Sequence, residues 1–356
     1  MQMRLFDLES TSKELLNTTI VNLLSGIHEY KGKQELYYIS KPNIFTNLSS
    51  MAKINSVYSS NKIEGISTTS KRIIDLVNNK IKPQSDNEKE IAGYRDVLKT
   101  IQDNYEYIDI NSSVILQLHR DLYKYSSKSI GGKYKDSQNY IQETLEDGSK
   151  VIRFTPLSPV ETPIAIEKLC NSYNEIISKG EIDPLLVIPV FIFDFLSIHP
   201  FNDGNGRMSR LLTILLLYKA GYHVGKYISL EKIIEETKDT YYLSLGESSY
   251  DWDTNNNDYT YFEEYYLVVV LSAYRQLSSK VEYIFNKNIT AYERITIIFK
   301  ESITPISKSD LIDRCPDISK TTIERVLNKL LKEGYIEKIP NGRFTKYKWI
   351  NKYSNK

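Results

Sequence analysis

The stretch from residue 197 to residue 210 constrains this chain most, because a short polar loop there separates two strongly apolar runs. These runs, residues 185–198 and 211–218, are long enough to be buried helices and too short to span a membrane. Between them lie a histidine, an acid, an asparagine flanked by glycines, and two arginines three residues apart. A loop of this content, joining two buried helices, predicts a binding site within a mainly helical domain.

The loop suits an anionic ligand, above all a phosphate. Gly204 and Gly206 let the backbone turn sharply and approach a ligand closely. The first turn of the helix that follows offers free N–H groups and a positive dipole end to a phosphate. Arg207 and Arg210 are three residues apart, so we expect both to project from one face of that helix and to bind phosphate oxygens.

Two other side chains of the loop carry chemistry. Asp203 offers the carboxylate oxygens that Mg²⁺ prefers. His199 is a candidate general base, because imidazole changes its protonation near neutral pH. His119 lies outside any such pattern, and we interpret it as a structural histidine. The loop therefore has the parts to bind a phosphate with a metal ion and to accept a proton.

Composition places the chain among ordinary globular proteins. Its 356 residues suggest two or three domains, 41% of them are hydrophobic, and the net charge of +1 favours neither nucleic acid nor membrane as a partner of the whole chain. Cys170 and Cys315 are far apart, which disfavours a disulfide framework or a zinc site. The N-terminus lacks the apolar core of a signal peptide. We expect a cytoplasmic protein without a membrane span.

The N-terminal third is predicted to be helical, with one notable polar element. Apolar residues recur with helical period over residues 11–30, and residues 47–62 form a second helix candidate. Near its end, Ser60 and Glu64 are one helical turn apart and share a face, and Gly65 is a typical terminator. Taken alone, this element is most simply the solvated polar end of a helix.

The rest of the first 285 residues is also largely helical by pattern. Further helices are predicted over residues 67–77, 87–102, 112–124, 163–179, 184–198, 211–221, 230–247 and 261–285. Pro189 is expected to kink its helix or to mark the true start. Tyr241 and Tyr242 can stack on a nucleobase or pack in the core, and the residues alone favour packing.

A β-hairpin is predicted to interrupt the helices. Residues 139–141 and 151–154 are short strand-like runs, and Asp147-Gly148 between them is a hairpin turn signal. Such a hairpin is barely stable alone and must pack on the helices. Its free edge can pair with an extended peptide of a partner, or the segment is only a surface loop.

The C-terminal part reads as a separate small domain over residues 291–356. Three helices (295–300, 308–314 and 319–333) precede two strands around Asn341-Gly342, which is the winged-helix order. This part has 14 Lys and Arg against 8 Asp and Glu. The charge permits DNA binding through the third helix. Winged helices also bind proteins, so both kinds of partner remain open.

Two motifs together resemble the Fic family of adenylyltransferases. The run from His199 to Arg210 fills the pattern HPFx[D/E]GNGRxxR without a gap, and the Ser60-to-Gly65 run resembles the inhibitory motif [S/T]xxxE[G/N] of that family. The predicted hairpin lies where the family has its target-docking flap. Lys135 stands in the flap lead-in where an arginine is common. The resemblance covers roughly residues 45–250.

The resemblance implies transfer of AMP from ATP to a Tyr, Thr or Ser hydroxyl of a protein. His199 would take the hydroxyl proton during attack on the α-phosphate. Asp203 would hold a Mg²⁺ ion that bridges the α- and β-phosphates. The backbone N–H groups implied to receive the charge of the leaving pyrophosphate are those of Gly204, Asn205 and Gly206.

The same resemblance assigns the remaining site residues. Arg207 would bind the β/γ end of ATP and Arg210 the γ-phosphate. Tyr241 and Tyr242 match a tyrosine pair near the adenine in relatives, which favours stacking. Glu64 would pair with Arg210 and occupy the place that the γ-phosphate needs, so that ATP binds in an unproductive pose. Ser60, Glu64 and Gly65 are thus implied to be inhibitory.

The implied architecture is mainly α: a Fic-type helical bundle with a β-hairpin flap, plus a C-terminal winged-helix domain. We expect an N-terminal helical region at residues 1–110, a Fic core at 111–286 and the winged helix at 291–356. Protein substrates would dock on the flap, and the chain itself is a further target. The winged helix would contact DNA or protein, and a homo-oligomer that controls the inhibitory helix remains open.

Three alternatives remain open. A sister group of the superfamily transfers the γ-phosphate and tends to have Lys where this chain has Gly206, so Gly206 favours adenylyl transfer. Fic enzymes also use other nucleotide donors or remove AMP. In a different class, the chain is a transcription regulator whose Fic core senses ATP. No GxxxxGK[ST] motif occurs, which disfavours a P-loop ATPase.

Overall fold

The computed structural model describes residues 4–40, 42–144, 149–285, 290–302, 305–315, 318–341 and 344–350. Helices dominate these residues, as predicted. The α-helices are α1 Leu8–Glu14, α2 Thr18–Ser40, α3 Pro42–Ile63, α4 Ser70–Val77, α5 Asp86–Asn104, α6 Ser112–Leu122, α7 Thr162–Lys179, α8 Pro184–Ile198, α9 Asn205–Lys219, α10 Leu230–Glu236, α11 Lys238–Ser249, α12 Thr260–Phe285, α13 Ala291–Glu301, α14 Lys308–Arg314 and α15 Lys320–Lys332. The strands are β1 Ile141–Thr144, β2 Lys150–Phe154, β3 Ile306–Ser307, β4 Ile336–Asn341 and β5 Phe344–Trp349.

The chain forms two compact units. The first comprises Met1–Thr68 and Arg72–Ser278, and the second comprises Thr69–Lys71 and Ser279–Lys356. The predicted C-terminal domain lies within the second unit. The predicted division of the first unit at residue 110 stays a prediction.

Two predicted helices are each two helices in the structure. The helix expected over residues 11–30 is divided at residues 15–17, because the side chain of Asn17 accepts the N–H of Ile20 at 2.9 Å and starts α2. The helix expected over residues 230–247 is divided at Thr237, whose hydroxyl donates to the carbonyl of Ile233 at 2.8 Å. Such side-chain bonds compete with the helical ladder. The second division gives Tyr241 and Tyr242 a helix of their own, α11.

The two apolar runs around the loop are buried helices, α8 and α9. Asp183 caps α8, since its carboxylate accepts the N–H of Leu185 at 2.9 Å, and Pro184 occupies the first turn. The helix therefore begins before Pro189, which lies in its interior. Helix α9 begins at Asn205, six residues earlier than predicted, so the loop's two arginines are helical.

The predicted hairpin is present in the first unit. Strands β1 and β2 pair antiparallel, with Ile141 opposite Phe154 and an irregularity between Ile141 and Gln142. The predicted turn at Asp147-Gly148 lies outside the described residues.

The second unit has its own core. The predicted three helices and two strands occur as α13, α14, α15, β4 and β5, and a short strand β3 joins them in a sheet of order β3-β5-β4. Gly342 of the predicted turn lies outside the described residues. The buried core side chains are Ile295, Phe299, Ile306, Leu311, Ile323, Val326, Leu327, Leu330 and Ile336.

Within the described part of the chain, no helix combines the length and the apolar character needed to cross a membrane.

An N-terminal arginine is buried against α8 in the first unit. The guanidinium of Arg4 lies 3.5 Å from the carboxylate of Asp194 and donates to the carbonyl of Trp252, to Tyr259 and to Asn257. The indole of Trp252 and the hydroxyl of Tyr259 donate to the same carboxylate at 2.7 and 2.8 Å. Asp194 is thus a buried charge whose counter-charge comes from the far end of the chain.

Arg4→Met is therefore expected to lower the free energy of unfolding by about 3 kcal/mol, because it leaves a buried carboxylate without its counter-charge. Urea unfolding at pH 7 measures the loss. Lys13→Met is the matched control: its partner Glu9 is 2.7 Å away, but Lys13 is 55% exposed, so the cost should stay below about 1 kcal/mol. Equal costs for the two variants would contradict the prediction.

Candidate active site

A cavity of about 480 Å³ lies where α3, the hairpin, α8, α9 and α11 meet in the first unit. Small-molecule sites have volumes of roughly 300–1,000 Å³. The predicted site residues that line it are Glu64, His199, Gly206, Arg210, Tyr241 and Tyr242. The fold thus brings the loop, the Ser60–Glu64 element and the tyrosine pair to one place.

His199 is held as a neutral base. It ends α8 in the left-handed conformation (φ 52°, ψ 60°), and its imidazole Nδ1 lies 3.2 Å from the carbonyl oxygen of Leu196. A carbonyl only accepts, so Nδ1 carries the proton and Nε2 keeps its lone pair. Burial lowers the pKa of His199 to about 4, which leaves the ring neutral at pH 7. The side chain can therefore accept a proton at Nε2.

The start of α9 depends on Gly204 and Asn205. Gly204 has φ 87°, and a side chain there would also come within 2.9 Å of the Tyr123 hydroxyl. The side chain of Asn205 accepts the N–H of Phe201 at 2.9 Å and donates to its carbonyl at 2.7 Å. That side chain therefore holds the loop, and only the backbone N–H of Asn205 is available for the predicted phosphate role.

Arg210 is 3% exposed and binds the end of α3. Its Nε donates to the hydroxyl of Ser60 at 2.8 Å and its Nη2 to the Ser60 carbonyl at 2.9 Å. The same Nη2 lies 2.7 Å from Glu64 Oε1. Ser60 and Glu64 do share a face, as predicted, and both contact one guanidinium.

The end of α3 fixes the place of Glu64. Gly65 has φ 76°, its N–H donates to the carbonyl of Lys62 at 3.0 Å, and the N–H of Ile66 donates to that of Asn61 at 3.0 Å. This pair of bonds is the Schellman termination of a helix, with glycine in the left-handed position. Gly65 thus ends the helix as predicted, and Glu64 is the capping residue.

Glu64 also lies directly against α9. A Cβ at Gly206 would overlap the Glu64 carboxylate and come within 3.3 Å of Arg210 Nη1. The absence of a side chain at Gly206 is therefore a condition for the contact between Glu64 and Arg210.

Arg207 does not accompany Arg210. It is buried, its Nη1 lies 2.7 Å from the carboxylate of Glu90 on α5, and its Nη2 donates to the Tyr123 hydroxyl at 2.7 Å. It is not among the residues that line the cavity. The guanidinium of Arg207 thus pairs with Glu90 of α5, whereas that of Arg210 reaches the cavity. Its phosphate role stays a prediction.

Asp203 is accessible and surrounded by cations. Its carboxylate is 45% exposed, 3.0 Å from Lys128 Nζ and 3.8 Å from Arg207 Nη2. Burial would raise the pKa of Asp203, but the hydrogen bond from Lys128 and the charge of Arg207 outweigh it and lower that pKa. No cluster of three or more metal-ligating side chains occurs among the described residues. Mg²⁺ commonly needs only one or two carboxylates beside substrate phosphates, so a single ionised Asp203 fits it.

The tyrosine pair is split between core and cavity wall. Tyr241 is 5% exposed and packs on Phe262 and Tyr265 at ring-centroid distances of 6.4 and 5.7 Å. Tyr242 is 42% exposed and lines the cavity, 5.2 Å from the Tyr241 ring. Both rings border the cavity, and Tyr242 is by far the more exposed of the two.

Two basic residues of the cavity were missed in the sequence. Arg153 of β2 lies with its guanidinium against Gly246 of α11, where a Cβ would overlap it. A glycine inside a helix is a signal of such close approach. Lys238, at the start of α11, donates to the carbonyl of Ile63 at 3.1 Å, next to Glu64. No local sequence pattern predicts the contact of Lys238 with Ile63.

His119 is structural, as predicted, but it supports the loop. Its Nδ1 accepts the N–H of Gly132 at 3.1 Å, so Nε2 carries the proton and donates to the carbonyl of Asp203 at 3.1 Å. Its ring stacks on Phe201 with centroids 3.7 Å apart. Burial lowers the pKa of His119 to about 4, which keeps this arrangement neutral.

A family model and a named relative each match part of this chain. The model of the Fic/DOC family matches residues 109–217, which include the loop. A protein adenylyltransferase Fic of Nematostella vectensis is 27% identical over 179 residues, covering 47% of this chain and 38% of that protein. The chain thus spans less than half the length of this relative.

Solved structures share the fold. A Fic family protein from Desulfovibrio desulfuricans G20 has a TM-score of 0.62 at 20% identity, covering 95% of this chain and 97% of the other. A Fic domain containing signaling protein from Bacteroides thetaiotaomicron VPI-5482 has a TM-score of 0.59 at 22% identity, covering 77% and 99%. Residues 109–217 therefore match the Fic/DOC family, and the chain has the fold of solved Fic proteins.

Proposed function

We propose that this protein is an adenylyltransferase that moves AMP from ATP to a Tyr, Thr or Ser hydroxyl of target proteins and of itself. The observation that carries the proposal is one cavity that holds a neutral histidine base, a helix N-terminus and a buried arginine whose charge is matched by Glu64. The match of residues 109–217 to the Fic/DOC family and a relative named protein adenylyltransferase support it.

The proposed reaction gives each of these groups a role. His199 Nε2 takes the proton of the target hydroxyl as its oxygen attacks the α-phosphorus of ATP. The bond from that phosphorus to the oxygen bridging it to the β-phosphate breaks, and pyrophosphate leaves with the electron pair. The backbone N–H groups at the N-terminus of α9, those of its N-cap Gly204 and of Asn205 and Gly206, stabilise the charge on the phosphates. Arg210 binds the γ-phosphate, and Arg207 is proposed to act at the β/γ end.

Asp203 would hold Mg²⁺. The bound ion would neutralise phosphate charge and orient the α- and β-phosphates. In the structure Lys128 pairs with Asp203, so this lysine supplies the counter-charge when no ion does.

The adenine is proposed to bind at the α11 side of the cavity. Tyr242 offers an accessible aromatic face there, and Tyr241 supports it from behind. The hairpin closes the same cavity with Ile141 and Phe154 and carries the exposed side chains of Val151 and Ile152. We propose that protein substrates dock on this hairpin as an added strand.

Glu64 is proposed to inhibit the enzyme through Arg210. Its carboxylate lies over Gly206, where phosphate oxygens would have to approach the first turn of α9. A γ-phosphate must compete with Ser60 and Glu64 for the same guanidinium. With Glu64 in place, ATP would enter without its α-phosphate in line for attack. We also propose that a homo-oligomer formed at α3 would control this inhibition.

The second unit is proposed as a winged-helix module for DNA or protein partners. Its elements follow the expected order, with β3 between α13 and α14. A gel shift with genomic DNA fragments tests whether this module binds DNA. It also tests the alternative of a transcription regulator that senses ATP.

Glu64→Gly is expected to raise the rate of AMP transfer by roughly 10- to 100-fold. This factor corresponds to the free energy of one charged hydrogen bond, about 1.5–3 kcal/mol, which the inhibited state would lose. Incorporation of label from [α-³²P]ATP into lysate proteins and into the enzyme measures it. Label from [γ-³²P]ATP should stay absent, since its appearance would mean phosphate transfer. The control is Glu235→Gln on α10, which breaks the ion pair of Glu235 with Lys62 near the end of α3. This variant should leave the rate unchanged.

An unchanged rate in Glu64→Gly, with His199 intact, would contradict inhibition by Glu64. Loss of AMP from pre-labelled protein in the wild type, but not in Glu64→Gly, would instead favour AMP removal as the reaction.

His199→Ala in the Glu64→Gly background is expected to abolish transfer and to leave ATP binding within about threefold, since the base touches the reacting hydroxyl rather than the nucleotide. Label incorporation and ATP titration calorimetry measure the two. Because the pKa of His199 is about 4, the base is protonated only in acid, so transfer should be nearly independent of pH from 6 to 7. His28→Ala, at the surface beside Asp183, is the control. Label incorporation by His199→Ala would refute the base assignment.

A further inference from the structure

Residues 198–201, which contain His199, have every carbonyl oxygen bound by a side chain or backbone group of the segment before β1. We infer that Lys135 and Asn139 are positioning residues that hold His199 in its catalytic orientation. This inference deepens the proposed function and rests on it for the role of His199.

Four consecutive carbonyls are held by the two residues. Lys135 Nζ donates to the Ile198 carbonyl at 3.1 Å, and the Lys135 backbone N–H donates to that of Pro200 at 2.9 Å. Asn139 Nδ2 donates to the carbonyls of His199 and Phe201 at 3.2 and 3.1 Å. The peptide planes on both sides of His199 are therefore fixed from outside the loop.

Lys135 also decides how Asn139 points. Its ammonium lies 2.9 Å from Asn139 Oδ1. An ammonium only donates, so the amide oxygen must face Lys135 and the amide NH₂ must face the loop. One cation thereby binds the loop directly and sets the second donor that binds it.

Lys135 is a buried cation, so it needs polar partners within the protein. The residue is 3% exposed, and its ammonium contacts Asn139 Oδ1 and the Ile198 carbonyl. Buried charges normally need strong partners, and here the partners are two neutral oxygens, one from the loop and one from Asn139. Burial lowers the pKa of Lys135 to about 8, so it remains mostly charged at pH 7.

The backbone of His199 needs such support. A residue with a side chain rarely adopts φ 52°, and it does so at functional sites when the surroundings impose it. The imidazole in turn bonds to the Leu196 carbonyl of the same segment. A rotation of the flanking peptides would therefore move Nε2 and weaken its preference for one tautomer. Misplacement by about 1 Å can cost about 100-fold in rate.

The test uses the Glu64→Gly protein as parent. Asn139→Asp keeps the oxygen that faces Lys135 and removes both donors to the loop, and Lys135→Met removes the cation. Both should lower the maximal rate of AMP self-labelling by roughly 10- to 100-fold, while the ATP concentration at half-maximal rate stays within about threefold. Lys135→Arg keeps a buried donor and should retain most of the rate. Lys133→Met, an exposed lysine two residues away, should equal the parent.

A second readout does not depend on activity. The chain has four histidines, so ¹⁵N spectra of the imidazoles can resolve His199. The parent, Lys135→Arg and Lys133→Met should show one neutral tautomer with the proton on Nδ1. Asn139→Asp and Lys135→Met, at temperatures where each is folded, should show the averaged shifts of a tautomer mixture.

Parent-like spectra in both variants would overturn the inference, even if their rates fall, because the residues would then serve stability alone. Parent-like rates in both would overturn it as well. Absence of AMP transfer in the parent would refute the proposed function instead, and the spectra would still decide whether Lys135 and Asn139 orient His199.

Discussion

The guanidinium of Arg210 is almost completely removed from water, and a charge so deeply buried needs partners within the protein. It finds them at the end of α3, in the hydroxyl and carbonyl of Ser60 and the carboxylate of Glu64. A nucleotide triphosphate would have to offer this guanidinium an equivalent set of oxygens. The same charge thus joins the end of α3 to the wall of the cavity, and this contact is the physical basis of the inhibition that we propose.

The loop before Arg210 is fixed by hydrogen bonds from several residues. Asn205 closes it locally on Phe201, and His119 binds it at Asp203 from α6. Lys135 and Asn139 bind the carbonyls around His199 from the segment that leads into the hairpin. The loop is therefore set by groups from three parts of the chain. This explains how a non-glycine residue keeps a left-handed backbone there.

Local patterns predicted much of the fold. Helices α7, α8 and α14 begin and end within one residue of prediction, because apolar periodicity, proline and capping residues agree there. The divisions at residues 15–17 and at Thr237 were missed, since side-chain bonds to the backbone outweigh an unbroken apolar pattern. The contact of Glu64 with Arg210 was expected from the motif, whereas the Glu90 partner of Arg207 was not. Arg207 and Arg210 are the same residue type, three positions apart on one helix, so the sequence does not tell their roles apart. Their partners in the fold, Glu90 and Glu64, do.

By itself, the sequence determined a mainly helical chain and a polar loop with glycines between two buried helices, whose residue types suit a phosphate. Those features depend on local backbone preferences and on chemistry that a side chain carries wherever it lies. Only the tertiary structure decided which arginine reaches the cavity, which tyrosine is more exposed, and which lysine and asparagine bind the carbonyls around His199. Those outcomes depend on charges and donors brought together from distant segments, such as Glu64 with Arg210 across 146 positions. No local pattern encodes such a distance.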